Sequence, residues 1–271
     1  MNPPTSPKKS LGQHFLKNAE ALDLIVRSLS HRAGETVVEI GPGQGALTEP
    51  ILASAPHRLI AIEKDEALAA ELRAKLSGGN PSISIIGEDA LKALPPVVAS
   101  LNGAPYRIVG NIPYYITGKL LRTIGDLEHK PLLTILMVQK EVAERAASLP
   151  PRMNRLSAMI GAWAAARTIA IVPRSDFDPA PDVDSAILEL APREDSLKGT
   201  PLREYQESAR LLFQQPRKTI ANNLSSGYAI SKEEAARRIA PFGLSGNERP
   251  GDLPIAAIRQ IASEFSTHAS S

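Results

Sequence analysis

The chain has 271 residues, of which 43% are hydrophobic, and a formal net charge of +2 from 31 basic and 29 acidic residues. This length suits one large domain, or one large and one small, with a core that needs no cross-links. The absence of cysteine excludes disulfides, thiolate nucleophiles and cysteine-ligated metals. No apolar run approaches the roughly 18 residues of a membrane helix, and residues 1–7 lack the apolar stretch of a secretory signal. We therefore expect a soluble, cytoplasmic protein.

Basic residues are grouped at two places in the chain. Lys8 and Lys9 lie in an N-terminal segment without acidic residues, and Arg217 and Lys218 are adjacent near the start of the C-terminal third. Small clusters of this kind are typical both of solvated surface and of phosphate contacts. Charge alone therefore permits an anionic partner without requiring one.

Short apolar, β-branched runs alternate with helical patterns in the first half of the chain. Because these runs are almost continuously apolar, they predict a parallel sheet covered on both faces. The clearest helix is Asp65–Leu76, with Asp65 as its N-cap and Gly78–Gly79 at its end. The predicted strands are Thr36–Ile40, Arg58–Ile62, Ile83–Ile86, Arg107–Val109 and Leu132–Val138.

Two later strands and a helical tail complete the predicted α/β fold. Thr168–Val172 and Ala186–Leu190 flank a proline-rich loop, which predicts an antiparallel final pair in the sheet. After Pro201 only helical patterns follow, so we predict a small C-terminal helical domain. The predicted divisions are an N-terminal segment at 1–17, the sheet domain at 18–194 and the helical domain at 195–271. The predicted C-terminal helices are Leu202–Gln214, Thr219–Leu224, Lys232–Ile239 and Leu253–Phe265.

The stretch Val37–Ala46 predicts a strand, a glycine-rich turn and a helix that starts near Ala46. Gly41 and Gly43 let the backbone approach a bulky ligand, and a helix N-terminus offers unpaired N–H groups. Glu63, at the end of the second strand, can accept hydrogen bonds from both hydroxyls of a ribose. The same pattern fits a nicotinamide dinucleotide, so the turn alone leaves the cofactor open.

Further polar residues stand at successive strand ends. Glu39 precedes Gly41 by two residues, Asp89 follows the third strand, and Asn111 follows the fourth. The carboxyl ends of parallel strands face the ligand crevice in an open α/β sheet, so Glu63 and Asp89 can hold the ribose and adenine of one nucleoside. Alternatively, Asp89 is an N-cap for the helix that follows.

The stretch Gly110–Tyr115 suggests chemistry on an aromatic amine. The N6 lone pair of adenine is delocalised into the ring, so acceptors must draw the nitrogen towards tetrahedral geometry before it attacks a sulfonium methyl. The side-chain oxygen of Asn111 and the carbonyl of Ile112 are the candidate acceptors. Pro113 fixes the turn that presents them.

Two aromatic residues are candidates for holding an unstacked base. Tyr114 follows the acceptor turn, and Phe177 lies in the proline-rich loop. A base that leaves its stack regains about 1–3 kcal/mol on an aromatic face. Phe177 would equally suit a packed position within its loop. For Tyr114, a packed position behind a strand end is the less favoured alternative.

With these residues assembled, the chain resembles the small-subunit ribosomal RNA adenine N6,N6-dimethyltransferases of the KsgA type over nearly its whole length. The resemblance implies a Rossmann-like class I methyltransferase sheet that binds S-adenosyl-L-methionine. It implies dimethylation of two adjacent adenines in the 3′-terminal hairpin of small-subunit (16S-type) ribosomal RNA during ribosome biogenesis. The implied substrate is this RNA in a partly assembled small subunit, and we expect a monomer with no metal and no membrane partner. The motifs that carry the resemblance are Ser10–Leu16, Glu39–Gly43, Asn111–Thr117, Gln139–Arg145 and Val183–Ala186.

The resemblance also implies roles for individual residues. The segment around His14 and Leu16 would lie over the cofactor, although many family members have asparagine at the position of His14. RNA contacts are expected at Lys8, Lys9, Arg217 and Lys218; Pro216 stands where the family often has an arginine. The predicted cofactor-binding residues are His14, Leu16, Gly41, Gly43, Glu63, Lys64, Asp89, Ala90 and Asn111.

Alternative functions stay open at this point. The large-subunit adenine methyltransferases that confer macrolide resistance share the sheet and the Asn-x-Pro-aromatic step. A non-catalytic ribosome-assembly or transcription factor would keep the fold, but the intact Asn111, Pro113 and Tyr114 disfavour it. A nicotinamide dehydrogenase fits the glycine turn and leaves Asn111 without a role.

Overall fold

A seven-stranded sheet organises the first part of the chain in the computed structural model, which describes residues 12–76 and 82–266. The strands are β1 (Phe15–Leu16), β2 (Thr36–Ile40), β3 (Arg58–Glu63), β4 (Ile83–Gly87), β5 (Tyr106–Asn111), β6 (Thr134–Gln139), β7 (Ala164–Val172), β8 (Phe177–Asp178) and β9 (Ser185–Pro192). The order in the large sheet is β4-β3-β2-β5-β6-β9-β7, and β1 and β8 form a separate pair.

The direction of the strands confirms the predicted α/β sheet. Strands β2 to β6 pair in parallel, and β9 runs antiparallel to β6. Each predicted strand is present, and the largest difference is that β7 begins at Ala164 rather than Thr168. Every residue of β2 is buried, as expected for a central strand covered on both faces.

Eleven helices lie within the described residues. They are α1 (Ala19–Leu29), α2 (Thr48–Ala53), α3 (Glu66–Leu76), α4 (Ala90–Ser100), α5 (Thr117–Asp126), α6 (Lys140–Ala146), α7 (Arg155–Gly161), α8 (Gly199–Leu212), α9 (Ile220–Tyr228), α10 (Lys232–Ile239) and α11 (Ile255–Ser266). Asp65 caps α3 as predicted, since its Oδ1 accepts from the Ala67 N–H at 3.1 Å. The predicted end of this helix at Gly78–Gly79 lies outside the described residues. Across the described residues, no helix combines the length and apolar character that crossing a membrane requires.

The chain forms two compact units. Within the described residues, the first unit takes the chain up to Ala143 together with Arg167–Pro192, and the second takes Glu144–Ala166 together with residues 193–266. The second unit thus includes α7, which precedes the last strands in sequence and which the sequence-based division placed with the sheet. The division at residues 17 and 194 stays a prediction.

Aromatic side chains hold the helices of the second unit together. The buried Tyr205 on α8 donates its hydroxyl to the Ala158 carbonyl of α7 at 2.9 Å. Tyr228 and Phe265 pack with their ring centroids 4.5 Å apart. These contacts explain why the apolar positions of α8, α9 and α11 face one another in a small helical core.

The β1–β8 pair brings the start of the described chain onto the first unit. Leu16 pairs with Phe177, and both side chains are buried in the main hydrophobic core, with 3% and 2% of their surface exposed. The Lys17 N–H donates to the Asp176 carbonyl at 2.8 Å. The segment before α1 is therefore fixed beside the carboxyl ends of the parallel strands.

Candidate active site

A cleft opens at the carboxyl ends of β2, β3 and β5. Its empty volume, counted out to the solvent, is about 970 Å³. Twelve of the predicted site residues line it, which are His14, Leu16, Gly41, Gly43, Glu63, Lys64, Asp89, Ala90, Asn111, Ile112, Pro113 and Tyr114. The structure thus brings together residues that the sequence places on five separate segments.

The glycine turn forms the floor of the cleft. Gly41 and Gly43 both have positive φ, +69° and +58°, which glycine adopts without steric cost. A Cβ on Gly43 would lie 2.9 Å from the ring of Phe15, and one on Gly41 would lie 3.2 Å from the Asn111 carbonyl oxygen. The turn continues to Leu47, and α2 begins at Thr48, two residues later than predicted.

Strand register places two polar side chains on either side of the turn. Ile40 pairs with Ile62 of β3 on one side and with Gly110 of β5 on the other. The next residue on each neighbouring strand, Glu63 or Asn111, therefore flanks Gly41. This arrangement follows from parallel pairing alone, because the strands end at the same edge of the sheet.

The carboxylate of Glu63 fixes the turn through backbone hydrogen bonds. Oε2 accepts from the Gly43 N–H at 3.0 Å and Oε1 accepts from the Asp65 N–H at 2.8 Å. Burial raises the pKa of Glu63, the backbone donors of Asp65, Gly43 and Lys64 act in the opposite direction, and the charge of Asp65 adds to the rise. A carboxylate has two lone pairs on each of its two oxygens, so the group can hold the turn and still accept from a ligand hydroxyl.

Asp89 makes two separate contacts with its two oxygens. Oδ1 caps α4 by accepting from the Leu91 N–H at 2.9 Å, and Oδ2 lies 3.0 Å from the Lys64 ammonium. Partial burial acts to raise the pKa of Asp89, but Lys64 and the Leu91 N–H together hold it below its ordinary value. The capping role that the sequence offered as an alternative is thus present, and the residue lines the cleft as well.

The side-chain amide of Asn111 has a defined orientation. Its Nδ2 donates to the main-chain carbonyl of His14 at 2.9 Å. Because a carbonyl oxygen can only accept, the amide must turn its nitrogen to His14, and Oδ1 remains as an acceptor on the other side. The structure therefore gives Asn111 the acceptor that the sequence-based chemistry requires.

Strand β9 holds the side chain of Tyr114. Its hydroxyl and that of the fully buried Ser185, at the start of β9, are 2.7 Å apart. Burial raises the pKa of Tyr114, while the bond to Ser185 acts to lower it. The phenol therefore stays protonated at neutral pH. On another side, the ring of His14 stacks against Tyr114 with centroids 5.8 Å apart and an interplanar angle of 21°.

Glu39 is fully buried below the cleft and faces the same side of the sheet as Glu63 and Asn111. Neither of its carboxyl oxygens meets a hydrogen-bond partner among the described residues. Burial raises the pKa of Glu39 to about 8; the nearby Thr48 hydroxyl acts to lower it, and the charge of Glu63 raises it further. The group is therefore mainly protonated at neutral pH in the ligand-free protein.

Three groups of predicted residues lie away from the cleft. Phe177 is 2% exposed and packs in the core against Leu16, so the structure does not place its ring on the cleft rim. Lys8 and Lys9 lie outside the described residues. Arg217 and Lys218 belong to the second unit and stand exposed in the turn between α8 and α9.

The 215–219 turn has a specific support. The side chain of Asn223, 4% exposed, accepts from the Gln215 N–H at 3.0 Å and donates to the Gln215 carbonyl at 3.1 Å. Thr219 caps α9, so Pro216 lies in the turn rather than at the helix start. Arg217 and Lys218 make no ion pair with any residue that the structure describes, which leaves both charges available to a partner.

Some contributors to the site had little or no signal in the sequence. Ser185 belongs to a motif that the family resemblance includes, yet nothing local showed that it bonds Tyr114. Tyr115, 55% exposed at the mouth of the cleft, lies with its ring centroid 5.9 Å from the Lys64 ammonium. The Pro179 carbonyl, 2.8 Å from Nδ1 of His14, could be found only in three dimensions.

Solved structures share this architecture over most of the chain. The crystal structure of a dimethyladenosine transferase from Plasmodium falciparum matches with a TM-score of 0.80 at 24% identity, covering 94% of this chain and 98% of that one. The 23S rRNA methyltransferase ErmE matches with a TM-score of 0.72 at 27% identity, covering 93% and 99%. The predicted Rossmann-like class I methyltransferase fold is thus confirmed.

Sequence comparison identifies the family within this class. The model of the family described as ribosomal RNA adenine dimethylase matches residues 5–266. The ribosomal RNA small subunit methyltransferase A of Dehalococcoides mccartyi is 35% identical over 247 residues, covering 91% of this chain and 84% of that protein. The chain belongs to the ribosomal RNA adenine dimethylase family, which confirms the resemblance recognised in its motifs.

Proposed function

We propose that this protein uses S-adenosyl-L-methionine to dimethylate the N6 amine of two adjacent adenines in the 3′-terminal hairpin of small-subunit ribosomal RNA. A partly assembled small ribosomal subunit is the proposed substrate. Family membership supports the reaction class. The observation that carries the proposal is the oriented amide of Asn111, whose Nδ2 is bonded to His14 while Oδ1 is left as an acceptor at the cleft.

The residues of the cleft fit this cofactor. When bound, S-adenosyl-L-methionine supplies an electrophilic methyl group on a sulfonium. Glu63 would accept from the ribose hydroxyls with the lone pairs that its backbone bonds leave free. Asp89 would hold the adenine, beside Lys64 and Ala90. A side chain at Gly43 would collide with the ring of Phe15, so packing and the positive φ both require glycine in the turn that lines the cleft.

Asn111 would prepare the target nitrogen for attack. Its Oδ1 and the carbonyl of Ile112 would accept the two N6 hydrogens and draw the nitrogen towards tetrahedral geometry. Because the amide is already held by His14, it need not reorganise when the base arrives. Methyl transfer leaves the nitrogen with four bonds and a positive charge, so its proton is strongly acidic and can leave to water; no side-chain base is required.

Tyr114 would provide the stacking surface for the flipped adenine. Its ring lines the cleft directly after Pro113, and its hydroxyl is fixed by Ser185. Stacking on such a surface recovers about 1–3 kcal/mol of the cost of leaving the helix. A second stacking role for Phe177 stays a prediction, because its ring would first have to leave the core.

The second unit would contact the RNA backbone. Arg217 and Lys218 stand exposed on a turn that Asn223 holds in shape, so they can meet phosphates without rearrangement. Lys8 and Lys9 are proposed to contribute in the same way, at the other end of the chain. These contacts would give affinity that falls with salt, while the cleft would select the base.

The test is methylation of small ribosomal subunits prepared without these methyl groups. The protein is incubated with labelled S-adenosyl-L-methionine and the modified nucleosides are mapped by digestion and mass spectrometry. We expect dimethyladenosine at two adjacent positions near the 3′ end of the RNA. Asn111→Ala should retain cofactor binding within about threefold and lose at least about a hundredfold in turnover, since it removes an acceptor used in the transition state.

Large ribosomal subunits and naked small-subunit RNA serve as parallel substrates. Methylation confined to the large subunit would replace the proposed substrate with 23S-type ribosomal RNA, the substrate class of the 23S rRNA methyltransferase ErmE. Cofactor binding without methylation of either subunit would favour a non-catalytic assembly factor. Wild-type turnover by Asn111→Ala would remove this residue from the mechanism.

A further inference from the structure

The ring of His14 connects three parts of the first unit. Nδ1 lies 2.8 Å from the Pro179 carbonyl, the ring stacks on Tyr114, and the main-chain carbonyl of the same residue accepts from Asn111 Nδ2 at 2.9 Å. Since a carbonyl can only accept, Nδ1 is the protonated ring nitrogen and donates to Pro179. One residue thus links the proline-rich loop, the stacking tyrosine and the candidate acceptor.

The geometry points to His14 as a positioning residue: by donating to the Pro179 carbonyl, its side chain fixes the main-chain carbonyl that orients the amide of Asn111. The part of this role that concerns turnover rests on the function proposed above. This role is additional to the predicted contact of His14 with the cofactor, because it reaches the reacting nitrogen through Asn111.

The position of the segment explains why a side-chain bond matters here. Residue 14 precedes β1, where the chain is secured by Leu16 in the core and by the Lys17 N–H to Asp176. Gly12, two residues before His14, has a φ of +60°, and the chain before it lies outside the described residues. The bond to Pro179 therefore helps to hold the carbonyl of residue 14 against Asn111 on the cleft side of β1. The neighbouring Gln13 adds a contact from its Nε2 to Oδ2 of Asp65 at 3.4 Å.

Two substitutions separate the donor from the ring. In asparagine, Nδ2 is the same number of bonds from Cβ as Nδ1 is in histidine, so His14→Asn keeps a donor at the right distance and removes the ring. His14→Phe keeps a ring that can stack on Tyr114 and removes the donor. His31→Phe is the matched control, because it removes another ring hydrogen bond, the one to Ser54, outside the residues that line the cleft.

Turnover is the first readout. We expect His14→Phe to lower kcat about tenfold, the effect of losing one fixed hydrogen bond near the reacting group, while the dissociation constant for the cofactor changes less than about threefold. His14→Asn should restore kcat to within about threefold of wild type. A kcat for His14→Phe equal to that of His31→Phe, or equal losses in His14→Asn and His14→Phe, would overturn the proposal.

Hydrogen exchange in the free protein is the second readout and needs no RNA. The amides of Phe15, Leu16 and Lys17 should exchange faster in His14→Phe than in wild type, and at the wild-type rate in His14→Asn and His31→Phe. Unchanged exchange in His14→Phe would refute the anchoring role even if methylation fell. The predicted exchange pattern in a protein that methylates neither ribosomal subunit would sustain the anchoring and refute the proposed function. Melting temperatures within a few degrees of wild type would show that each variant is folded.

Discussion

Replacing Glu39 with glutamine changes a carboxyl group that is fully buried in the centre of the sheet. Its pKa in the folded protein is about 8, against an ordinary value of 4.5, mainly because burial disfavours the charged form. In the unfolded chain the same group has its ordinary pKa of 4.5 and is ionised at any pH above that value. Glutamine has nearly the same shape and does not titrate, so the comparison isolates the proton.

The size of the effect follows from the two pKa values. Between 4.5 and about 8 the unfolded state has released a proton that the folded state retains. The free energy of unfolding then falls by about 1.4 kcal/mol for each pH unit in this window, or about 5 kcal/mol across all of it. Below the window both states are protonated, and above it both are ionised, so the dependence on pH from this group disappears at either side.

Urea unfolding followed by circular dichroism, from about pH 5 to about pH 9, measures this difference. We expect the free energy of unfolding of Glu39→Gln, relative to that of wild type, to increase by several kcal/mol as the pH rises through the window. Above the window this difference should stay constant. The slopes against urea should stay equal. A constant difference between the two proteins at every pH would mean that Glu39 is ionised in the folded state, which would refute the reasoning.

Three further outcomes are expected. Tyr114→Phe should lower stability by about 1 kcal/mol in thermal unfolding, because the bond to Ser185 is lost. It should keep a higher methylation rate than Tyr114→Ala, which also loses the stacking surface. Glu63→Ala should weaken cofactor binding by about 1.5–3 kcal/mol in calorimetry, and an unchanged dissociation constant would contradict its role with the ribose. Arg217→Ala with Lys218→Ala should reduce the slope of log affinity against log salt by about 1.4, and an unchanged slope would exclude phosphate contacts.

Topology explains why much of the cleft could be predicted from the sequence. Glu63 and Asn111 are the last residues of their strands and Asp89 lies just after a third, and parallel strands must end at one edge of the sheet. Their convergence needs no knowledge of side-chain packing. For Asp89 the sequence offered a cap and a ligand contact as alternatives, but a carboxylate has two oxygens, and the structure shows Oδ1 capping α4 while Oδ2 pairs with Lys64.

Packing between distant segments explains what the sequence could not predict. Phe177 stands in a loop rich in prolines, where an isolated aromatic suits a rim and a core equally well. Its burial depends on pairing with Leu16, near the other end of the first unit. The bond between His14 and Pro179 joins residues 165 positions apart. Because its acceptor is a main-chain carbonyl, the identity of the residue there does not predict the bond.

The same pairing gives a structural basis for the expected tolerance of His14→Asn. Histidine and asparagine share a donor at the same distance from Cβ, and the acceptor is the Pro179 carbonyl, whose position the β1–β8 pair sets. The exposed Lys17–Asp178 ion pair on this segment adds little to its stability. We therefore expect the hold on Asn111 to weaken when the donor to Pro179 is removed, because the buried strand pair alone leaves the carbonyl of residue 14 less firmly placed.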